Sequence, residues 1–266
     1  MNSEPTIRIG IFVTILILLI IWERISPRRP AKWPRTGRWL KNSGFLVIDT
    51  SLVRLLFPTA AVGTAVYAQT QDTGLFNHAN IPWILHVVGS VLVLDLVIYW
   101  QHRFFHKFPW LWRIHRLHHS DLDVDLSSGV RFHPFEILLS LLIKIVVILV
   151  FGLSVTGVLI FEIMLNAGSL FIHSNIRVPL KMDHWLRCLI VTPDMHRIHH
   201  STLRRETDSN FSTVLSCWDR IFKSYCATPH KPQETLPLGL HEYPQPLSFR
   251  RMLTLPFIKS SVTSSK

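Results

Sequence analysis

Nine of the fifteen histidines in this 266-residue chain fall in patterns that can gather imidazoles at a common point. His102 and His106 are four residues apart, His115, His118 and His119 follow as HxxHH, and the same pattern returns as His196, His199 and His200. Separations of three and four put side chains on one face of a helix, so each group can aim its rings at one centre. His173 joins them as a lone candidate at the end of an apolar run. Neutral imidazole suits iron, zinc, copper and nickel, so ligand type alone does not choose the metal. Number says more: nine donors are too many for one tetrahedral zinc, which takes about four. They suit two ions with four to five ligands each and an open position for a small molecule. With no carboxylate among them the ions keep a high positive charge, which favours ferrous centres that bind and reduce dioxygen. A hydrogen-bonded structural role would explain any one of these histidines, but not three spaced groups.

Other residues are expected around that set. Asp95, Tyr99, His102 and His106 lie on one arc of a helix at ~100° per residue, with the acid and the phenol behind the first pair, where they would fix ring tautomers. Asn175, two residues past His173, is a candidate water-mediated partner. Asp194 precedes the second HxxHH, where it would orient a ligand or pair with Arg197; Asp219 is read in the same way. His133 opens RFHPFE, where Pro134 suits a first helical turn, and is expected in the outer shell or as a tenth ligand. His86, sixteen residues before His102 and so ~24 Å along a helix, cannot reach the site.

The elements that carry these residues are apolar. Hydrophobic residues make up 48% of the chain and charged residues 17%, and the mean hydropathy is +0.28, which marks a membrane protein. Spans are expected at about Ile9–Trp22, Phe45–Tyr67, Ile81–Gln101, Phe135–Phe151 and Val155–Phe171, with a polar loop between His102 and Pro134 and no crossing after Asn175. Of 28 Lys and Arg, 25 lie in the segment after the first span, in the His102–Pro134 loop and in the tail, whereas loops 69–80 and 152–154 hold none. By the positive-inside rule those three segments are cytoplasmic and the N-terminus is outside. Both histidine clusters then emerge on the cytoplasmic face. The net charge of +11 is an orientation signal rather than a nucleic-acid footprint, because the basic residues sit beside apolar spans. Cys188, Cys217 and Cys226 form no CxxC and read as reduced thiols. Arg54, Lys144 and Glu162 lie inside spans without a motif around them, as interhelical polar contacts or snorkelling groups.

The ordered motifs resemble the fatty acid hydroxylase superfamily, and within it the sterol desaturase branch. They are Asp95-x3-Tyr99-x2-His102-Arg103-x2-His106, His115-x2-His118-His119, Arg131-x-His133-Pro134-x-Glu136, His173-x-Asn175, His196-x2-His199-His200, Asn210 and Trp218-Asp219-Arg220. The chain departs from the family pattern at Phe222-Lys223-Ser224-Tyr225 and at Ser212, neither of which removes a histidine. The resemblance implies an all-α integral membrane protein of about four to five transmembrane helices, with a cytosolic helical cap carrying a histidine-rich dinuclear site. It divides the chain into N-terminal spans (1–94), a hydroxylase domain (95–230) and a tail (231–266). It implies two non-haem iron ions held by the nine histidines, with Asn210 in the outer shell. The reaction implied is O2-dependent hydroxylation or desaturation of a sterol, sphingoid, alkylglycerol or fatty acyl lipid. No protein nucleophile is needed beyond the metal ligands. Electrons come from an external donor of the cytochrome b5 or ferredoxin type. The membrane is a bacterial inner membrane or the endoplasmic reticulum.

A histidine-rich metal transporter and a structural zinc protein are the competing readings. A transporter would place ligands near mid-membrane, whereas these flank the spans. The topology is checked by cysteine labelling in a background lacking Cys188, Cys217 and Cys226. A cysteine at Asp72 should react with an impermeant maleimide on intact cells and one at Lys231 only after permeabilisation; labelling of both from the same side contradicts the topology.

Overall fold

Proline and glycine mark where the helices of this chain begin and end. The computed structural model describes residues 4–259. Residues 1–3 of the expected N-terminal segment and 260–266 of the expected tail lie outside the described residues. The first helices are α1 (Glu4–Ile25), α2 (Arg35–Leu56), α3 (Ala60–Thr70) and α4 (Leu75–His78). The central ones are α5 (Trp83–Lys107), α6 (Pro109–His119), α7 (Pro134–Phe151) and α8 (Val155–His173). Short helices α9 (Leu180–Leu186), α10 (Pro193–His199), α11 (Arg204–Thr207), α12 (Cys217–Ile221) and α13 (Phe249–Thr254) follow. Among the described residues there is no β-strand, only three isolated bridges. Five segments are long and apolar enough to cross a membrane: Thr6–Ile25, Arg35–His78, Trp83–Lys107, Pro134–Phe151 and Val155–His173. The chain is an all-helical integral membrane protein.

Two expectations are corrected here. The helix that carries the second span begins earlier than Phe45, at Arg35, and is broken between Leu56 and Ala60, because Pro58 has no amide to donate and disfavours helix in the residue before it. The stretch from His102 to Pro134 is not a polar loop. α5 continues unbroken to Lys107, Pro109 starts α6, and most of residues 115–131 are buried. Hydropathy misread this stretch because its polar groups bond to one another inside the cap rather than to water.

The spans pack around Leu94, Ile98, Leu141, Ile148, Val158 and Phe161. α5 and α8 approach closely at Gly157, where a Cβ would lie 2.6 Å from the Ser90 Cβ and 2.8 Å from the Val87 carbonyl oxygen. α7 ends at Gly152 in the left-handed region, φ 63°, the usual glycine stop, and His86 Nε2 donates to the Gly152 carbonyl at 2.9 Å. That bond ties α5 to the end of α7, away from the histidine clusters. The interhelical role expected of Lys144 and Glu162 is also seen: their side chains pair at 2.5 Å between α7 and α8.

A buried polar network fixes the cap onto α2. The Arg38 guanidinium donates to the Asp123 carbonyl and the Asp125 carboxylate and lies 3.4 Å from Asp121. Asn42 donates to Ser127 Oγ at 2.9 Å and accepts from Arg131 at 3.1 Å. Arg131 also donates to the Leu117 carbonyl at 3.0 Å and to Ser120 Oγ at 2.7 Å, at the C-terminal end of α6. Burial alone would raise the Asp121 pKa, but Arg38 and Arg131 outweigh it and hold the carboxyl below its usual range. In Arg38→Met, Asp123 and Asp125 lose their paired cation and Asp121 keeps only Arg131. Breaking a buried ion pair from one side costs about 3–5 kcal/mol, so a marked fall in detergent melting temperature is expected; an unchanged melt contradicts a fixing role for this network.

Candidate metal centre

The histidines are delivered by helix ends. α5 supplies His102 and His106 from its last turns, α6 supplies His115, His118 and His119, α8 supplies His173 as its last residue, and α10 with its cap supplies His196, His199 and His200. α10 starts where sequence chemistry demands: Pro193 occupies its first turn and Thr192 accepts from the Met195 amide at 3.3 Å. The nine rings form two groups. His102, His106, His115, His119 and His199 make one, and His118, His173, His196 and His200 the other, with donor atoms in each lying within 4.8 Å of one another. The groups adjoin, since the His119 and His200 rings stack at 4.5 Å. His102 and His106 are each 9% exposed and the other seven 2% or less.

Bonds to the outer ring nitrogens orient the rings. His102 Nδ1 donates to the Phe211 carbonyl, His199 Nδ1 to the Ser209 carbonyl and His173 Nδ1 to the Ser169 carbonyl, each at 2.7 Å. His115 Nδ1 meets Glu136 Oε1 at 2.7 Å. A carbonyl oxygen can only accept, so the proton sits on Nδ1 and the Nε2 lone pair faces inward. In the first group Nε2 of His102, His106, His115, His119 and His199 is buried without a hydrogen-bond partner. In the second, His173 Nε2 lies 2.9, 3.0 and 3.2 Å from Nε2 of His118, His196 and His200. Inward lone pairs of this kind are costly unless something electropositive meets them, and one cation per group would meet them all. The donor set therefore fits two metal ions.

Burial keeps these rings neutral. His115 is held down to about 3, and His118, His119, His196, His199 and His200 lie well below the ordinary imidazole value, by burial first and by neighbouring imidazoles second. Neutral rings are the metal-binding form.

The residues expected behind the rings act one layer further out. Asp95 and Tyr99 reach no ring nitrogen, which corrects their expected role. Asp95 accepts from Trp218 Nε1 at 2.8 Å and the Leu215 amide at 3.2 Å, and the Tyr99 hydroxyl bonds Ser224 at 2.8 Å. Both fasten the 211–224 segment to α5. His133 is neither ligand nor ring partner: it caps α7, accepting from Phe135, and its Nε2 donates to Leu253 O at 3.1 Å. Asn175 bonds the backbone of Arg29 through both side-chain atoms, and Asp194 pairs with Arg28 and Arg197. Asn210 does hold the site. With φ 51° it stands between the two residues whose carbonyls orient His199 and His102, anchored by Met195 and Cys226; asparagine tolerates that conformation. Asp219 accepts from the amides of Phe211 and Ser212 at 2.8 and 3.0 Å, fixing the same loop, and does not pair with Arg197 or Arg220.

Two contacts escaped sequence reasoning. Glu136 stood in RFHPFE without an assigned partner, and Asp208 lies 3.5 Å from His106 Nδ1. Trp112 packs on the rings of His106 and His119 at 5.0 and 5.2 Å. Beneath the centre a cavity of about 910 Å³, lined by His102, His115, His118, His173 and His196, extends between α1, α2, α5, α7 and α8.

The comparisons agree with this architecture. The family model of fatty acid hydroxylases matches residues 87–224, just over half of the chain. The ornithine lipid hydroxylase of Rhizobium tropici is 23% identical over 85% of this chain and 68% of its own length. The alkylglycerol monooxygenase of Homo sapiens is 31% identical over 83% of this chain and 47% of its own, and the lathosterol oxidase of Mus musculus 30% over 58% and 49%. The chain thus spans about half the length of the latter two relatives, and all three names denote oxidoreductases. No solved structure matches. Motif order, a matched span that contains all nine histidines, and membrane architecture make this chain a member of the fatty acid hydroxylase family.

Proposed function

We propose that this chain is a membrane-bound di-iron oxygenase that hydroxylates or desaturates a lipid, taking two electrons from an external donor protein of the cytochrome b5 or ferredoxin type. The observation that carries the reading is the set of nine buried, neutral imidazoles with inward nitrogens in groups of five and four. Iron bound there would supply activation of dioxygen for attack on an unactivated C–H bond. His102, His106, His115, His119 and His199 would hold one ion, and His118, His173, His196 and His200 the other. The chain's own task is positioning and exclusion of water. Ser169, Ser209, Phe211 and Glu136 orient the rings, and the cavity admits a lipid tail from between the spans to the face formed by five of the histidines. The bias of Lys and Arg supports a cytoplasmic site.

His118→Ala and His199→Ala remove one donor from each group. Detergent-purified wild type should carry about two irons per chain, each variant should lose metal from its own group, and lipid oxidation in cells should fall by two orders of magnitude or more. One zinc per chain, or full iron retention in both variants, contradicts the proposal.

The pH dependence has a definite sign. An unfolded imidazole titrates near 6.5, whereas folded His115 stays neutral down to about 3. Between those values the unfolded state binds a proton that the folded state does not, so metal-stripped protein loses stability as pH falls, by about 1.4 kcal/mol per pH unit for this ring. Thermal melts of stripped protein should drop steadily from pH 7 to pH 5; melts flat over that range contradict burial of neutral rings.

A further inference from the structure

The buried stripe of α2 consists of Arg38, Asn42, Phe45 and Asp49. The first two join the aspartate network of the cap, and Phe45 packs on Phe249 at 5.1 Å. Asp49 differs. It is 6% exposed and lines the cavity, yet its Oδ1 is enclosed with no donor in reach, and it makes no ion pair among the described residues. Another carboxyl group, that of Glu136, lines the same cavity across the contact between α2 and α7. Glu136 spends Oε1 on His115, while its Oε2 is likewise buried without a donor. Deeper in the cavity the charges answer one another: Lys144 meets Glu162 at 2.5 Å and Arg8 meets it at 3.3 Å.

Unsatisfied carboxylate oxygens in a membrane-embedded cavity are expensive and are functional by default. Each carries a buried oxygen that no donor among the described residues meets, so what completes this pair is a hydrogen-bond donor that arrives with the ligand. We propose that Asp49 and Glu136 form a polar subsite for the head of the lipid substrate, binding a hydroxyl or ammonium group beside the histidine cluster. The substrate class is then a lipid with a donor-bearing head within a few bonds of the carbon that reacts. Its tail follows the cavity past Lys144, which is two turns or ~12 Å beyond Glu136 on α7. A mid-chain position on a long acyl tail does not meet this geometry. The inference rests on the oxygenase reading of the site, but its test does not use turnover.

Iron-loaded protein in nanodiscs is titrated with three probes: hexadecylglycerol ether, the same ether with both hydroxyls methylated, and hexadecylamine. Wild type should bind the hydroxyl and amine probes at least about tenfold more tightly than the methylated one, the scale of a hydrogen bond to a charged group. Asp49→Leu, similar in size but without an acceptor, should abolish that preference while keeping its iron. Asp49→Asn, which keeps one acceptor, should retain part of that preference. Equal binding of the methylated and hydroxyl probes by wild type, or an intact preference in both variants, overturns the subsite. Iron content measured on the same samples reports separately on the oxygenase reading.

Discussion

The structure depends on one constraint: nine imidazoles must be buried together, neutral, with lone pairs facing inward. Burial of so many polar rings is unfavourable unless each nitrogen has a partner. The outer nitrogens of His173, His199, His102 and His115 find theirs in the carbonyls of Ser169, Ser209 and Phe211 and in Glu136, whereas those of His118, His196 and His200 have no hydrogen-bond partner among the described residues. The inner nitrogens face one another, and a pair of cations would satisfy them at once. Cap, spans and loops can be understood as the means of holding that arrangement.

Support comes in layers. Asn210 and Asp219 shape the loop whose carbonyls orient two rings, and Asp95 and Tyr99 fasten the segment that contains it to α5. On the opposite side Arg38, Asn42 and Arg131 bind α2 to the end of α6. The spans therefore do two jobs. They cross the bilayer, and the ends that supply ligands gather on one side of it, above a cavity large enough for a lipid, within the ~300–1,000 Å³ usual for ligand sites.

Much of this was legible in the sequence, and the reasons differ by residue. The spacing of His102–His106 and of the two HxxHH groups specifies shared helix faces, and the structure does bring those eight histidines and His173 together. Apolar runs marked the spans because lipid demands them. Partners far away in sequence were invisible: nothing local to Asp208 points to His106, and a backbone carbonyl such as that of Phe211 has no residue signature at all. Helical periodicity points Asp95 and Tyr99 at the rings because it gives the face a residue occupies but not the atom it bonds on the neighbouring segment. Hydropathy makes a loop of the stretch from His102 to Pro134 because it measures preference for lipid. It is blind to polar groups that satisfy one another inside a cap.

The central claim is that these imidazoles cage two irons, and X-ray absorption at the iron edge of the purified protein tests it most directly. The account predicts about two irons per chain with first shells dominated by imidazole nitrogen and an iron–iron vector between them. A protein whose bound metal is a single zinc, or whose iron shell is sulfur-rich or lacks imidazole scattering, contradicts it.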